Sequence, residues 1–286
     1  MFVCKVENTK NKILTLTQNE SEYQVVDIEG LNPPNAQINT SKIAGLDGAK
    51  FNSSSLNERN LVITIKLNGN VEQNRINFYS FFRIKEWCKI YYKNDSRDVY
   101  IEGYVESVAC GLFTNNEVMQ ISIVCPNPYF KALEEIINDI SKTIAMFEFP
   151  FAINASDPVE FSTIDTSKIT RVDNNSESET GLIIDIDILS NCNKIQINNI
   201  STGDLFILNY TFLEGDKITI DTNKGSKSVS LIRNATKINL FGALAKNSKF
   251  FQLNIGDNYF SYLVDNGTKE YAIHMVFRHY TVYGGV

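Results

Sequence analysis

Histidine is almost missing from this chain. There are two in 286 residues, beside one tryptophan and six prolines. Two histidines offer little for a multi-histidine metal site or for acid–base work near neutral pH. A positive charge balance is missing as well: 27 Lys+Arg stand against 33 Asp+Glu, a net charge of -6. The halves are alike, with 15 basic and 18 acidic residues up to residue 150 and 12 and 15 beyond it. With no basic block, gripping nucleic acid through its phosphates is excluded. No long apolar run exists either. The longest, residues 144–153, is interrupted by Glu148 and Pro150, and a bilayer span needs roughly 20 residues. Residues 1–12 are polar and unlike a signal peptide. The expectation is a soluble protein made in a cytoplasm, without membrane insertion.

The five cysteines (Cys4, Cys88, Cys110, Cys125, Cys192) are odd in number, far apart and never arranged C-x-x-C. That pattern predicts buried free thiols rather than a disulfide framework or a zinc site. The phosphate loop, the dinucleotide glycine motif and the G-x-S-x-G elbow are all absent. Asp221-Thr222-Asn223-Lys224-Gly225 opens like a calcium loop, but Ile232 stands where the closing glutamate belongs, so it reads as a turn. Asp185 and Asp187 share one strand face and form a carboxylate pair on paper, yet a solvated face is the better reading. His274 and His279 differ by an odd number, which on one strand sends them to opposite faces. No catalytic residue, metal site or cofactor is expected, and the chain is not read as an enzyme.

What is present is period-2 alternation. Leu61, Ile63, Ile65 and Leu67 form one such series; Met119, Ile121, Ile123 and Cys125 another. Ile184, Ile186 and Ile188 form a third, and Tyr271, Ile273, Met275 and Phe277 a fourth. Each predicts a strand with one face on a core. Asn- and Gly-containing strings punctuate them: Asn68-Gly69-Asn70, Glu214-Gly215-Asp216, Asn223-Lys224-Gly225, Gly256-Asp257-Asn258 and Asp265-Asn266-Gly267. These read as tight turns. The chain is therefore expected to be mainly β.

Two segments have helical spacing instead. Residues 73–87 carry Ile76, Phe78, Tyr79, Phe81 and Phe82 and predict an amphipathic helix. Residues 129–141 place Leu133, Ile136, Ile137 and Ile140 at helical spacing and predict a second. No proline follows Pro158, and a polar acidic run, Asn174-Asn175-Ser176-Glu177-Ser178-Glu179, comes soon after it. Two domains are expected: 1–150, α+β with one main helix, and 151–286, an antiparallel β-sandwich. Residues 29–56 fit neither period. Gly/Pro-punctuated but anchored by Ile38, Ile43 and Phe51, they predict a long ordered loop resting on another subunit.

Certain segments, taken in order, resemble one family. They are Gly30-Leu31-Asn32-Pro33-Pro34, Ala44-Gly45-Leu46-Asp47-Gly48-Ala49-Lys50-Phe51, Glu58-Arg59-Asn60-Leu61-Val62-Ile63, Gly103-Tyr104-Val105-Glu106, and the run from Gln120 through Cys125-Pro126-Asn127-Pro128-Tyr129-Phe130. In the second half stand Asn198-Asn199-Ile200-Ser201-Thr202-Gly203, Gly215-Asp216-Lys217-Ile218-Thr219-Ile220-Asp221-Thr222, Leu253-Asn254-Ile255-Gly256-Asp257-Asn258, Phe277-Arg278-His279-Tyr280 and a final Gly-Gly-Val. This ordered set resembles the distal tail (Dit) proteins of siphophages over essentially the whole chain. The connection 130–161 is longer and more aromatic than the family pattern.

The resemblance implies a split β-barrel with one helix, followed by a galectin-like sandwich. It also implies a structural role at the tail tip of a phage or phage-tail-like particle, assembled in the bacterial host cytoplasm. The first domain would build a homohexameric ring around a DNA channel. The second would carry receptor-binding or baseplate proteins, while the ring meets the tail-tube protein and the tail-associated hub protein. DNA would be cargo only, and an acidic channel wall would let it pass without sticking. Subunit contacts are expected at Leu31, Pro33, Pro34, Ile38, Ile43 and Phe51. The alternative reading is a carbohydrate-binding sandwich module in host-surface adhesion, with Tyr259, Phe260 and Tyr262 as the stacking platform.

Overall fold

The computed structural model describes residues 2–19, 21–45, 47–111, 118–140, 143–145, 162–164 and 169–286. The expected domain boundary, the stretch between Pro150 and Pro158, lies outside them. The chain forms two compact units, Met1–Leu133 with Val282–Val286, and Glu134–Thr281.

The first unit is built from β1 (Val3–Asn8), β2 (Ile13–Leu16), β3 (Tyr23–Glu29), β4 (Ala36–Ser41), β5 (Lys50–Leu56), β6 (Arg59–Leu67), α1 (Val71–Phe81), β7 (Trp87–Lys93), β8 (Asp98–Cys110), β9 (Val118–Cys125) and the start of β10 (Phe130–Asp139). Antiparallel pairing runs β3-β6-β9-β8-β7-β1-β2. A lone parallel bridge, Thr17 to Gln24, joins β2 back to β3, with the Val25 amide donating to the Thr17 carbonyl at 2.7 Å. The path thus closes on itself, held at the seam by little more than one bridge. β8 makes this possible: residues 98–104 pair with β7 and 104–110 with β9, across a bulge between Val105 and Ser107. A bulge bends its strand, which lets one strand serve two halves of a curved sheet. Gly103 stands at that crossing, where a Cβ would lie 2.7 Å from Cys125 Sγ and 2.8 Å from the Val124 carbonyl.

The alternating residues do what the period dictates. Leu61, Ile63, Ile65, Leu67, Met119, Ile121, Ile123 and Cys125 are all buried in one core, together with Phe78 and Phe82. The helix is shorter than expected. Asn70 caps it, its side chain accepting from Gln73 N, so Asn68-Gly69-Asn70 is a helix entry rather than a hairpin turn. It stops at Phe82 rather than at residue 87. Sheet hydrogen bonds claim the next turn: Lys85 N donates to the Val105 carbonyl and Val105 N to that of Glu86. Trp87 already belongs to β7.

The second predicted helix is a strand. Residues 130–139 are β10, pairing Lys131 with Tyr100 and Ala132 with Val99. Its helical-period residues do not share a buried stripe, for Leu133 is 43% and Ile137 63% exposed. The available sheet edge prevails over a local periodicity that buries nothing.

In the second unit, β11 (Thr143–Ala145) pairs with β12 (Ser162–Ile164). The remaining strands are β13 (Thr170–Asn174), β14 (Ile183–Ile188), β15 (Cys192–Asn199), β16 (Asp204–Phe212), β17 (Lys217–Asp221), β18 (Ser228–Arg233), β19 (Thr236–Asn239), β20 (Gly256–Val264) and β21 (Ile273–Tyr283). One sheet runs β10-β21-β14-β17-β18-β19 and another β13-β20-β15-β16. Their inward residues form one core, with Phe260 of one sheet edge-on to Phe277 of the other, 4.9 Å between ring centroids. This is a two-layer antiparallel sandwich. Tyr271 lies in a single 3-10 turn before β21 and is exposed, so it is not part of the fourth alternating series. Gly256-Asp257-Asn258 opens β20 rather than forming a turn between strands.

Candidate assembly surface: a projecting hairpin and its anchored base

Residues 29–56 are not an irregular loop. They form a β-hairpin, β4 with β5, that among the described residues pairs only with itself and is exposed along both strands. Its register carries a bulge between Asn39 and Thr40: Asn39 faces Ser53, but Thr40 faces Phe51. Residues directly opposite share a face, and one extra residue inverts the alternation beyond it. Without the bulge, Phe51 would face away from Leu56. With it, Ala36, Ile38, Phe51 and Leu56 line a single side of the ribbon. Ile38 is 62% and Phe51 59% exposed. A two-stranded ribbon that buries nothing of its own gains its order elsewhere, because isolated hairpins are marginal in water.

The base of the hairpin is fastened tightly. Arg59, the first residue of β6, is 3% exposed. Its guanidinium donates to the carbonyls of Pro128 and Asn32, each at 2.7 Å, and also to those of Gly30 and Gly284. It also stacks over the Phe130 ring, 4.6 Å from its centroid. Burial lowers its pKa below the usual arginine value, though nowhere near the range where a guanidinium loses its proton. The last residues of the chain close the same knot. Val286 N donates to the Leu31 carbonyl at 3.1 Å, Arg97 donates to the Gly285 carbonyl and stacks on Tyr283. At Gly285 a Cβ would stand 2.8 Å from Pro33 Cδ. Gly30 is equally constrained, with φ +90° and the Asn60 carbonyl 2.2 Å from where a Cβ would sit. These contacts account for the glycines of the Gly30 string and of the Gly-Gly-Val end.

The expected contact residues therefore divide by role. Ile38, Ile43 and Phe51 project from the ribbon, whereas Leu31 is half-buried against the barrel core and, with Pro33 and Pro34, belongs to the base. Arg59 was legible in retrospect: it occupies the same parity as Leu61, Ile63, Ile65 and Leu67, so a charge was placed in a core-facing phase.

Behind the hairpin's origin is a pocket of about 140 Å³ lined by Phe2, Gln18, Val25, Val26, Asp27, Ile28, Leu31 and Tyr92. It lies beside the β3 bulge between Val25 and Asp27, with Phe2 and Tyr92 stacked at 5.8 Å.

In the sandwich, the proposed sugar platform is not assembled. Phe260 and Tyr262 point into the core at 0% and 7% exposure, while Tyr259 faces outward at 40%. Alternation on one strand puts them on opposite sides, so the three cannot form one stacking surface. Asp185 and Asp187 lie on a solvated, ion-paired face: Asp185 accepts from Arg278 at 2.6 Å and Thr219 at 2.9 Å, and Lys217 is 3.1 Å from Asp187. His274 and His279 do take opposite faces, His274 beside Asp139 at 3.2 Å and His279 buried. Asp221 accepts from Asn223 and Ser226 within its turn. Among the described residues, all five cysteines are free, with Cys110 alone not fully buried.

Two families match the chain, one on each unit. The phage tail protein RIFT-related domain matches residues 14–125, and the C-terminal domain of the siphovirus-type tail component matches residues 175–279. Among solved structures, the crystal structure of the Dit (gp 19.1) protein of phage SPP1, described as a paradigm of hub adsorption apparatus in phages infecting Gram-positive bacteria, is similar at 14% identity. It covers 97% of this chain and 99% of its own, with a TM-score of 0.70. The phage p2 baseplate in its activated conformation is similar in its strontium form (13% identity, 98% of both chains, TM-score 0.54) and in its calcium form (12%, 98% of both, 0.53). Among curated protein sequences, none matches. The two matching domains, one on each unit, thus define a component of a phage tail or baseplate. Within that class, the chain belongs to the siphophage distal tail proteins.

Proposed function

We propose that this protein forms a homohexameric ring at the tail tip, joining the tail tube to the receptor-binding apparatus and leaving a channel for DNA. The first unit supplies the ring and the second carries receptor-binding or baseplate proteins. The tail-tube protein and the tail-associated hub protein meet the ring, and the particle is assembled in the host cytoplasm. The observation that carries this reading is the exposed ribbon of residues 36–56. Its apolar face serves no purpose in a monomer, and a contact between unlike surfaces of identical subunits repeats around a ring. The role is that of a scaffold and not of an enzyme. A channel passing duplex DNA needs a bore of roughly 20 Å, judged from groove dimensions. Six copies of a chain with net charge -6 supply an acidic wall past which DNA slides.

Size-exclusion chromatography with light scattering, joined to negative-stain imaging, tests the ring. The expected result is a species of six chains with a central hole. A monomer at every concentration overturns the reading, and a basic lumen overturns the account of the charge.

A further inference from the structure

The ring reading leaves open what receives the ribbon on the neighbouring subunit, and the first unit carries an open pocket at β3. We infer that Phe51 of one copy enters the pocket beside the β3 bulge of the next copy. This inference rests on the ring reading and specifies its interface.

Three observations on independent parts of the unit converge. The first is size. The pocket measures about 140 Å³ and is open to solvent, with Gln18 and Asp27 beside Phe2, Val25, Ile28, Leu31 and Tyr92 in its walls; a volume of roughly 150 Å³ is enough for a benzene ring. The largest side chain displayed on the ribbon is a phenyl ring, 59% exposed and turned by the bulge onto the apolar face. The second is charge. Lys42 and Lys50 stand at the hairpin's outer end, and among the described residues neither is in an ion pair. Across β3 stand Glu22, Asp27 and Glu29, of which Asp27 lines the pocket itself. The third is the open edge. β3 pairs with β6 on one side and meets β2 only at the Thr17–Gln24 bridge on the other. Beyond that bridge no other described strand pairs with this edge, although the Ile28 amide is taken by Asp27 Oδ1 at 2.8 Å; an open edge is where an extended segment docks on a sheet.

The pocket cannot be filled by its own ribbon. Leu31 lines the pocket and leads into the hairpin base, which the Arg59 carbonyl bonds hold fixed. Phe51 lies five residues beyond Leu56, about 17 Å out along a paired strand. Knob and receptor therefore occupy different places on one molecule. Such a contact is heterologous, and repetition closes a ring when the rotation permits.

The test uses full-length protein with Cys110→Ser, since the other four cysteines are buried. One preparation carries Phe51→Cys and a second carries Val26→Cys, both at exposed positions. Mixed and mildly oxidised, they are expected to give a disulfide-linked dimer that neither gives alone. The double variant is expected to give a covalent ladder ending at six chains. In parallel, Phe51→Ala removes no core contact from the monomer, and its half-assembly concentration is expected to rise roughly tenfold or more, the value of one buried phenyl ring. Rings from Phe51→Ala at the wild-type concentration overturn this inference and leave the ring reading standing. So does Val26→Cys shielded from thiol reagents by purified tail-tube protein but not by ring formation. Wild-type protein that forms no rings overturns the ring reading, and the mixed cross-link then decides this inference separately: its absence overturns the pairing of Phe51 with the pocket.

Discussion

Replacing Arg59 with glutamine should loosen the hairpin base and the first unit together. The Arg59 guanidinium serves four backbone carbonyls, Gly30, Asn32, Pro128 and Gly284, at 3% exposure. A glutamine amide has two donors on a shorter stem, so at least two carbonyls lose their partner. Hydrogen bonds to a charged group contribute about 1.5–3 kcal/mol each, and an acceptor left buried without a donor costs about 1–3 kcal/mol. Three of the four carbonyls belong to half-buried residues and Asn32 to an exposed one, so water recovers part of the loss. The expected cost is about 3–4 kcal/mol. At about 2–4 °C per kcal/mol, the transition of the first unit should fall by about 10 °C. Urea unfolding followed at Trp87, which lies in that unit, measures it. Limited proteolysis should show earlier cleavage around residues 30–34 while the sandwich stays intact. An Arg59→Gln protein within 1 kcal/mol of wild type, with an unchanged cleavage pattern, would refute the clamp.

Two predictions concern pH in the sandwich. Asp216 is 2% exposed and accepts from Arg233 at 2.8 and 2.5 Å and from Leu213 N at 2.9 Å; the arginine bond holds its carboxyl below the usual 3.8. A depressed carboxylate pKa gives stability that is present above 3.8 and lost as pH falls through the folded value, so the sandwich should weaken below about pH 4, and Asp216→Asn should cost about 3 kcal/mol at pH 7. His279 is buried, with Nε2 against the Asp173 carbonyl at 3.1 Å and Nδ1 unpartnered, and desolvation lowers its pKa below 6.5. The unfolded chain then takes up a proton that the folded one refuses, so stability should decline as pH drops below 6.5. His279→Phe should flatten that slope in thermal melts between pH 5 and 7, and a slope as steep as wild type would count against the assignment.

How much of this was legible beforehand depends on what kind of signal each feature leaves. Strands that bury one face announce themselves, because burial with period 2 must be written into alternate residues. Leu61 to Leu67 and Ile184 to Ile188 are examples, and their neighbours in space need not be known. Residues 29–56 carry no such signal. The ribbon buries nothing within the monomer, so no selection for alternation marks it, and its bulge at Asn39 scrambles what little phase it has. The 130–139 strand misled for the opposite reason. Its apolar residues happen to fall at helical spacing, while the edge that recruits them belongs to β8, distant in sequence.

The order of strings such as Gly30 to Pro34 and Gly215 to Thr222 was enough to place the chain among siphophage distal tail proteins. Composition made it an acidic, histidine-poor chain with an odd number of scattered cysteines. Those properties are additive over residues and need no coordinates. Which face of the sandwich Tyr259, Phe260 and Tyr262 each occupy was already implied by their parity, but which face is the core is a property of two sheets together. The Arg59 knot, which joins residues 30, 32, 59, 128 and 284, and the pocket at the β3 bulge depend on segments far apart in the chain meeting at one point. Only the tertiary structure brings them there, because hydrogen-bond partners and cavity walls are set by distance in space, and sequence separation carries no record of it.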